Sequence, residues 1–228
     1  MAKTAILVDG GFYRKAIQMY NGDSSPKAKA TELIDYCLSH LHPGNAKLGI
    51  PKEELYRIFY YDCPPIKKKL YHPLIKKQID YKKTNLYKWA DQFLYEMARQ
   101  RKVALRLGYL SEATNEFRLT AEAMKLLFNG KIKMEDLQES DFVPDIKQKG
   151  VDMKIGIDIA SLAYKRQVDK IILIAGDSDF VPAAKLARRE GIDFVLDPLW
   201  RHINSDLFEH IDGIATKLQK PGTEIARA

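Results

Sequence analysis

From Lys3 to Asp9 the chain reads KTAILVD, an almost unbroken apolar run closed by an acid and then by Gly10 and Gly11. A short run of this kind suits a strand buried on both faces of a parallel sheet, and the glycine pair predicts a break before a helix from about Phe12. After the polar stretch NGDSSPK, apolar residues recur at Ala30, Leu33, Ile34, Cys37, Leu38 and Leu41, a helical spacing that HPGN should stop. ELYRIFYYD then predicts a second strand, ended by CPP. A helix over about Lys83 to Arg101 leads into KVALRLGYL, read as a third strand, with a further short strand at EFRLT and a helix from Thr120 to Asn129-Gly130. The polar, proline-broken KMEDLQESDFVPDIKQ reads as a loop with one short helix.

Regularity returns at Val151, where Val151, Ile155, Ile159, Leu162 and Ala163 form one helical stripe. Strand KIILIA, helix PAAKLARRE, Gly191 as its cap, strand IDFVL and a last helix near Asn204 to His210 complete the pattern. Strands alternating with helices predict a three-layer α/β fold, Rossmann-like in its mainly parallel central sheet. Residues 1–62 and 146–215 are expected to form its core, 63–145 a basic, mostly helical insertion in the same domain, and 216–228 a C-terminal tail.

With 46% hydrophobic residues among 228, a packed core is expected. No apolar run approaches the roughly eighteen residues of a membrane span, and the first strand meets an acid too early for a signal-peptide core. Two cysteines cannot make a disulfide framework, and the expectation is a cytoplasmic protein without a membrane partner. Cys37 stands near His40 and His42, but three ligands crowded at one helix end lack a fourth partner and zinc spacing, so they read as ordinary helix-end residues.

Charge is concentrated. Between Asp62 and Lys102 eleven Lys and Arg face four acids, an excess equal to the net +7 of the whole chain. A basic segment on a neutral body points to a polyanion. Within it, Lys67, Lys68, Lys69, Lys76, Lys77, Lys82 and Lys83 alternate with Tyr71, Tyr81, Tyr87 and Trp89. Cations can follow a phosphate backbone while rings stack on unpaired bases, so RNA, or single-stranded DNA, is the expected partner. The competing reading is a solvated face whose rings pack inward. Lys149 and Lys154, flanking the helix start at Val151, join the candidate nucleic-acid contacts.

In a parallel sheet, functional groups gather at the carboxyl ends of the strands, where strand order reverses. Asp9 ends the first strand, and Asp177 and Asp179 follow KIILIAG. The helix from Val151 should run antiparallel to that strand, which brings Asp152 to the same edge. Asp158 lies about 9 Å further down the helix and is a second-tier candidate. A lone Asp at such a position is usually a cap or turn former. Four acids from three segments exceed what capping needs, and an all-oxygen set without His or Cys selects Mg²⁺ or Mn²⁺. The fitting chemistry is metal-assisted phosphodiester hydrolysis.

The stretches ILVDGGF, KQKGVDMKIGIDIASLA and LIAGDSDFVPAAKLARREGIDFVL resemble the NYN domain family (the DUF88 or LabA-like group), a branch of the PIN-like nucleases. INSDLFEHIDGI, with Ser205 and Asp212, is a weaker match. The resemblance implies a PIN-like fold and metal-dependent cleavage of RNA, with Asp9, Asp152, Asp177 and Asp179 as metal-binding and catalytic acids and Asp158 also a family position. Many members carry Asn where this chain has Phe12. Two other classes compete: a nucleic-acid-binding regulatory module with weak turnover, and a metal-dependent phosphatase. The latter is disfavoured because Asp9 is followed by Gly-Gly rather than by a second acid two residues on. No G-x-G-x-x-G opens a helix after a strand, which disfavours a dinucleotide enzyme.

Overall fold

The computed structural model describes residues 1–19, 24–42, 53–111 and 116–219. The ends of the polar stretch at Asn21 and of HPGN at Asn45, and the tail from residue 220, lie outside them. Six strands form one sheet in which every pairing is parallel: β1 (Lys3–Asp9), β2 (Glu54–Asp62), β5 (Val103–Leu107), β10 (Lys170–Ile174), β11 (Asp193–Asp197) and β12 (Gly213–Ile214). Their order is β12-β11-β10-β1-β2-β5, so the chain builds outward from β1 on one side, then returns to build outward on the other. The reversal falls between β1 and β10.

Strand alternation divides the core into two layers. Ile6, Val8, Ile58, Tyr60, Ile172 and Ile174 face α1 (Gly10–Ala16), α2 (Pro26–Ser39) and α3 (Asn85–Ala98), packing with Tyr13, Leu33, Cys37, Phe93 and Met97. Ala5, Leu7, Phe59, Tyr61, Ile171 and Leu173 face α5 (Val151–Tyr164) and α6 (Val181–Arg189). The whole stripe predicted for α5 is buried there. Helix α2 starts where Ser25 accepts a hydrogen bond from Ala28 N at 3.2 Å, with Pro26 in the first turn, where a missing N–H costs nothing.

The stretch 63–145, expected to be mostly helical and outside the core, is mixed. Its α3 and β5 belong to the central layers, and its Lys-rich start is a hairpin of β3 (Lys69–His72) and β4 (Lys77–Asp80). Alternation explains the hairpin: Leu70 and His72 are buried while Lys69 and Tyr71 point outward. The His72 ring packs at 4.6 Å on Phe117 and 5.2 Å on Phe142. Those rings come from β7 (Phe117–Leu119) and β8 (Phe142–Pro144), an antiparallel pair beside α4 (Ala121–Phe128). The expected strand over KVALRLGYL breaks in two at Gly108. A β-carbon there would lie 2.4 Å from the Lys149 carbonyl oxygen, and its N–H donates to Asp62 O at 2.7 Å. Beyond it, β6 (Tyr109–Leu110) leaves the main sheet and pairs with β9 (Gln148–Lys149).

Candidate active site

Asp9 is the last residue of β1 and caps α1, its Oδ1 accepting from Phe12 N at 3.1 Å. Three residues beyond β10, Asp177 caps a short 3-10 turn, with Oδ1 accepting from Asp179 N at 3.1 Å. Asp152 stands in the first turn of α5, directly after Gly150 and Val151. These three carboxylates line one open cleft of about 570 Å³ at the carboxyl edge of the sheet, above the β1/β10 reversal. Asp179 is exposed beside the cleft without lining it.

Electrostatics register the convergence. The Asp152 carboxyl is held above the ordinary aspartate value, first by partial burial and then by the negative charges of Asp9, Asp177 and Asp179. Burial also raises Asp9, against the pull of the Phe12 and Gly11 amides and of the Arg14 and Lys15 cations. The three carboxylates suit a hard divalent cation, but the cleft is not free of nitrogen donors as the sequence led one to expect, because His202 from the loop after β11 also lines it. Among the described residues no three or more His, Cys, Asp and Glu side chains form a ready-made ligand shell. The acids gather around a space without closing on one point.

The other walls were not singled out in the sequence. Lys15, Gln148, Ser178, His202 and Asn204 also line the cleft. His202 and Asn204 lie in the loop after β11, a position that the carboxyl-edge rule applied to every strand would have indicated. Phe12 forms part of the wall, and its ring edge comes within 2.6 Å of where a β-carbon on Gly176 would stand. The glycine before Asp177 is therefore required by the ring across from it.

Asp158 lies apart from the cleft. It accepts from Tyr61 OH at 2.8 Å and pairs with Arg106 Nε at 2.9 Å. Asp212 is also committed, to Arg188 Nε at 2.8 Å and Phe194 N at 2.9 Å, where it ties the end of the sheet together. Ser205 opens α7 (Ser205–Phe208) next to its cap Asn204. His40 Nε2 meets Asp197 at 3.0 Å, His42 Nδ1 meets Leu38 O at 3.0 Å, and burial pushes the Cys37 thiol upward, so the three share no ligand point.

Of the basic candidates, Lys69 and Lys77 lie on the hairpin, Lys67 and Lys68 lead into it, and Lys76 turns it. Lys82 and Lys83 are exposed in the 3-10 turn Tyr81–Lys83. Lys149 on β9 and Lys154 on α5 are exposed near the helix start that carries Asp152. Trp89 stacks on Phe93 at 5.5 Å and donates to Ser24 O at 3.1 Å, so this ring is part of the packing.

Comparison with known sequences matches the NYN domain over residues 75–209, more than half of the chain. The chain belongs to the NYN domain family. In NYN terms the matched span includes Asp152, Asp177 and Asp179, while Asp9 precedes it. An uncharacterized protein of Methanocaldococcus jannaschii is 25% identical over 43% of this chain and 49% of its own length, so the match spans about half of that relative. A crystal structure of a protein of unknown function from Vibrio parahaemolyticus aligns over 93% of this chain and 91% of its own, at 14% identity and a TM-score of 0.46. NYN domains are generally a nuclease class. No described helix is long and apolar enough to cross a membrane.

Proposed function

We propose that this NYN protein is a Mg²⁺- or Mn²⁺-dependent ribonuclease that hydrolyses phosphodiester bonds of single-stranded RNA. The observation that carries the reading is that Asp9, Asp152 and Asp177, from three separate segments, line one cleft, where burial first and then the charges of Asp9, Asp177 and Asp179 raise the Asp152 carboxyl. Mutual repulsion of that kind is relieved by a bound cation. Asp9, Asp152 and Asp177 would hold the ion, with Asp179 in support. Bound there, it would make a water nucleophilic at neutral pH and draw off charge developing on the phosphate.

The chain's own groups do the remaining work. Asp9 and Asp177 each spend Oδ1 on a backbone amide, which fixes the carboxylate plane relative to the turn it caps. Lys15 on the cleft wall offers a cation to a phosphate oxygen. The exposed lysines of the hairpin and the following turn continue the positive surface along which a strand can run.

The test is incubation of the purified protein with labelled single-stranded RNA and DNA in Mg²⁺, Mn²⁺ or EDTA. Cleavage of RNA with either ion and none in EDTA is expected. Cleavage that survives EDTA would remove the metal from the proposal, and cleavage of DNA alone would remove the RNA.

A further inference from the structure

A second cavity, of about 330 Å³, adjoins the acid cleft, and the two share Gln148 as a common wall. Its lining is chiefly apolar and aromatic. Tyr81, Tyr87, Phe93 and Leu94 bound one side, and Leu86, although it lines the cavity, is 56% exposed, so the space opens to solvent. The floor is polar: Asp62 ends β2 directly beside the end of β1, accepting from Tyr60 OH at 3.0 Å and Cys63 N at 2.7 Å, and it pairs with Arg14 of α1. The two spaces are thus built on neighbouring strand ends. A β-carbon on Gly11 would stand 3.3 Å from Asp9 Oδ1 and 3.5 Å from Gln148 Oε1, which brings the shared amide and a cleft acid to one point. Burial raises the Cys63 thiol in the cavity wall, and the Asp152 charge adds to it in the same direction.

We propose that this cavity is a nucleobase subsite, taking one unpaired base of the strand whose phosphate lies in the acid cleft. Ligand pockets run from roughly 300 to 1,000 Å³, so this one suits a single small ring system. Aromatic and aliphatic walls stack on a base regardless of its identity, while a few convergent polar groups read its edge. Gln148 supplies an amide with both donors and an acceptor. Apolar walls repel a phosphate, whereas the cleft beyond Gln148 is the place for one. A base splayed from the strand would satisfy both spaces at once and fix which phosphate meets the acids.

The subsite rests on the ribonuclease reading, so its test uses binding, which needs no turnover. A fluorescent oligoribonucleotide strand made wholly of abasic residues is compared with the same strand carrying one base, by anisotropy in EDTA. The wild type should bind the single-base strand on the order of ten- to a hundredfold more tightly. Ala90→Leu, which places a larger side chain into the cavity from α3 in a good helix former, should bind both strands as weakly as the wild type binds the abasic one. Circular dichroism and melting of the variant check that it is folded. Equal binding of the two strands by the wild type, or a base preference that Ala90→Leu keeps, would overturn the subsite. So would a lack of binding to either strand. A parallel cleavage assay separates the two proposals: a base preference without metal-dependent cleavage keeps the subsite and removes the nuclease, and cleavage without a base preference does the reverse.

Discussion

The ring edge of Phe12 and the α-carbon of Gly176 face each other so closely that a β-carbon on the glycine would lie 2.6 Å from the ring. The two residues follow the two strands on either side of the chain reversal and line the same cleft as Asp9 and Asp177. Gly176→Ala should therefore destabilise the fold by about 1–3 kcal/mol of overpacking and lower the melting temperature accordingly. Adding Phe12→Ala should recover part of the loss. Thermal melts of the two single variants and the double variant measure the coupling, and strictly additive losses would mean that the contact is slack.

Asp177→Asn separates capping from metal binding. Asn caps as well as Asp does, so the 3-10 turn should persist and the melting temperature without metal should not fall. Cleavage should drop by at least about a hundredfold, since the cleft loses a negative ligand, and Mn²⁺ should raise the variant's melting temperature less than the wild type's. Full cleavage of labelled RNA by this variant would sink the assignment of Asp177.

The raised carboxyls give a pH dependence with a definite sign. Asp152 has a folded pKa above its unfolded value, so its ionisation costs stability. The cost is absent below the unfolded value of about 3.9, grows as pH rises through the folded pKa, and is complete above it. Asp152→Asn should therefore be more stable than the wild type at pH 7, by roughly the 0.2–1 kcal/mol of exposed charge pairs, and melt higher. The difference should vanish toward pH 3. Melting curves without metal across that range decide it, and an advantage that persists at pH 3 would point to something other than charge.

Reversing the charge of Lys67, Lys68, Lys69, Lys76 and Lys77 should weaken RNA binding and flatten its salt dependence. For a single strand, each phosphate that the protein ceases to neutralise takes about 0.7 from the slope of log affinity against log salt. Anisotropy titrations at several salt concentrations give that slope. An unchanged slope would make the hairpin lysines a solubility feature.

Where side chains alternate or recur strictly, the fold was legible. KTAILVD and KIILIA became β1 and β10, and the predicted stripe of α5 is buried without exception. Topology then brought Asp9, Asp152 and Asp177 to one edge by chain direction alone. The stretch 63–145 was harder because several of its elements are short: β3 and β4 have four residues each, too few for a clear period. Asp158 misled because helical rise gave its depth but not its partner, Arg106, which comes from β5, a strand unrelated in sequence position. Gln148 lies in the KQKGVD stretch, but nothing local marks it as a wall residue. Its importance arises from lying between two spaces, and only three-dimensional placement shows that.

The register of β1 against β10 pairs Ala5 with Ile171, so neighbouring strands at the centre of the sheet are 166 residues apart in synthesis. At about 5–20 residues per second, roughly 10–30 s pass on the ribosome between the appearance of one and the other. During that interval Asp9 has been made but neither of its cleft partners has been brought beside it. The three acids can line one cleft only when the last third of the chain has emerged and closed the sheet around its first strand.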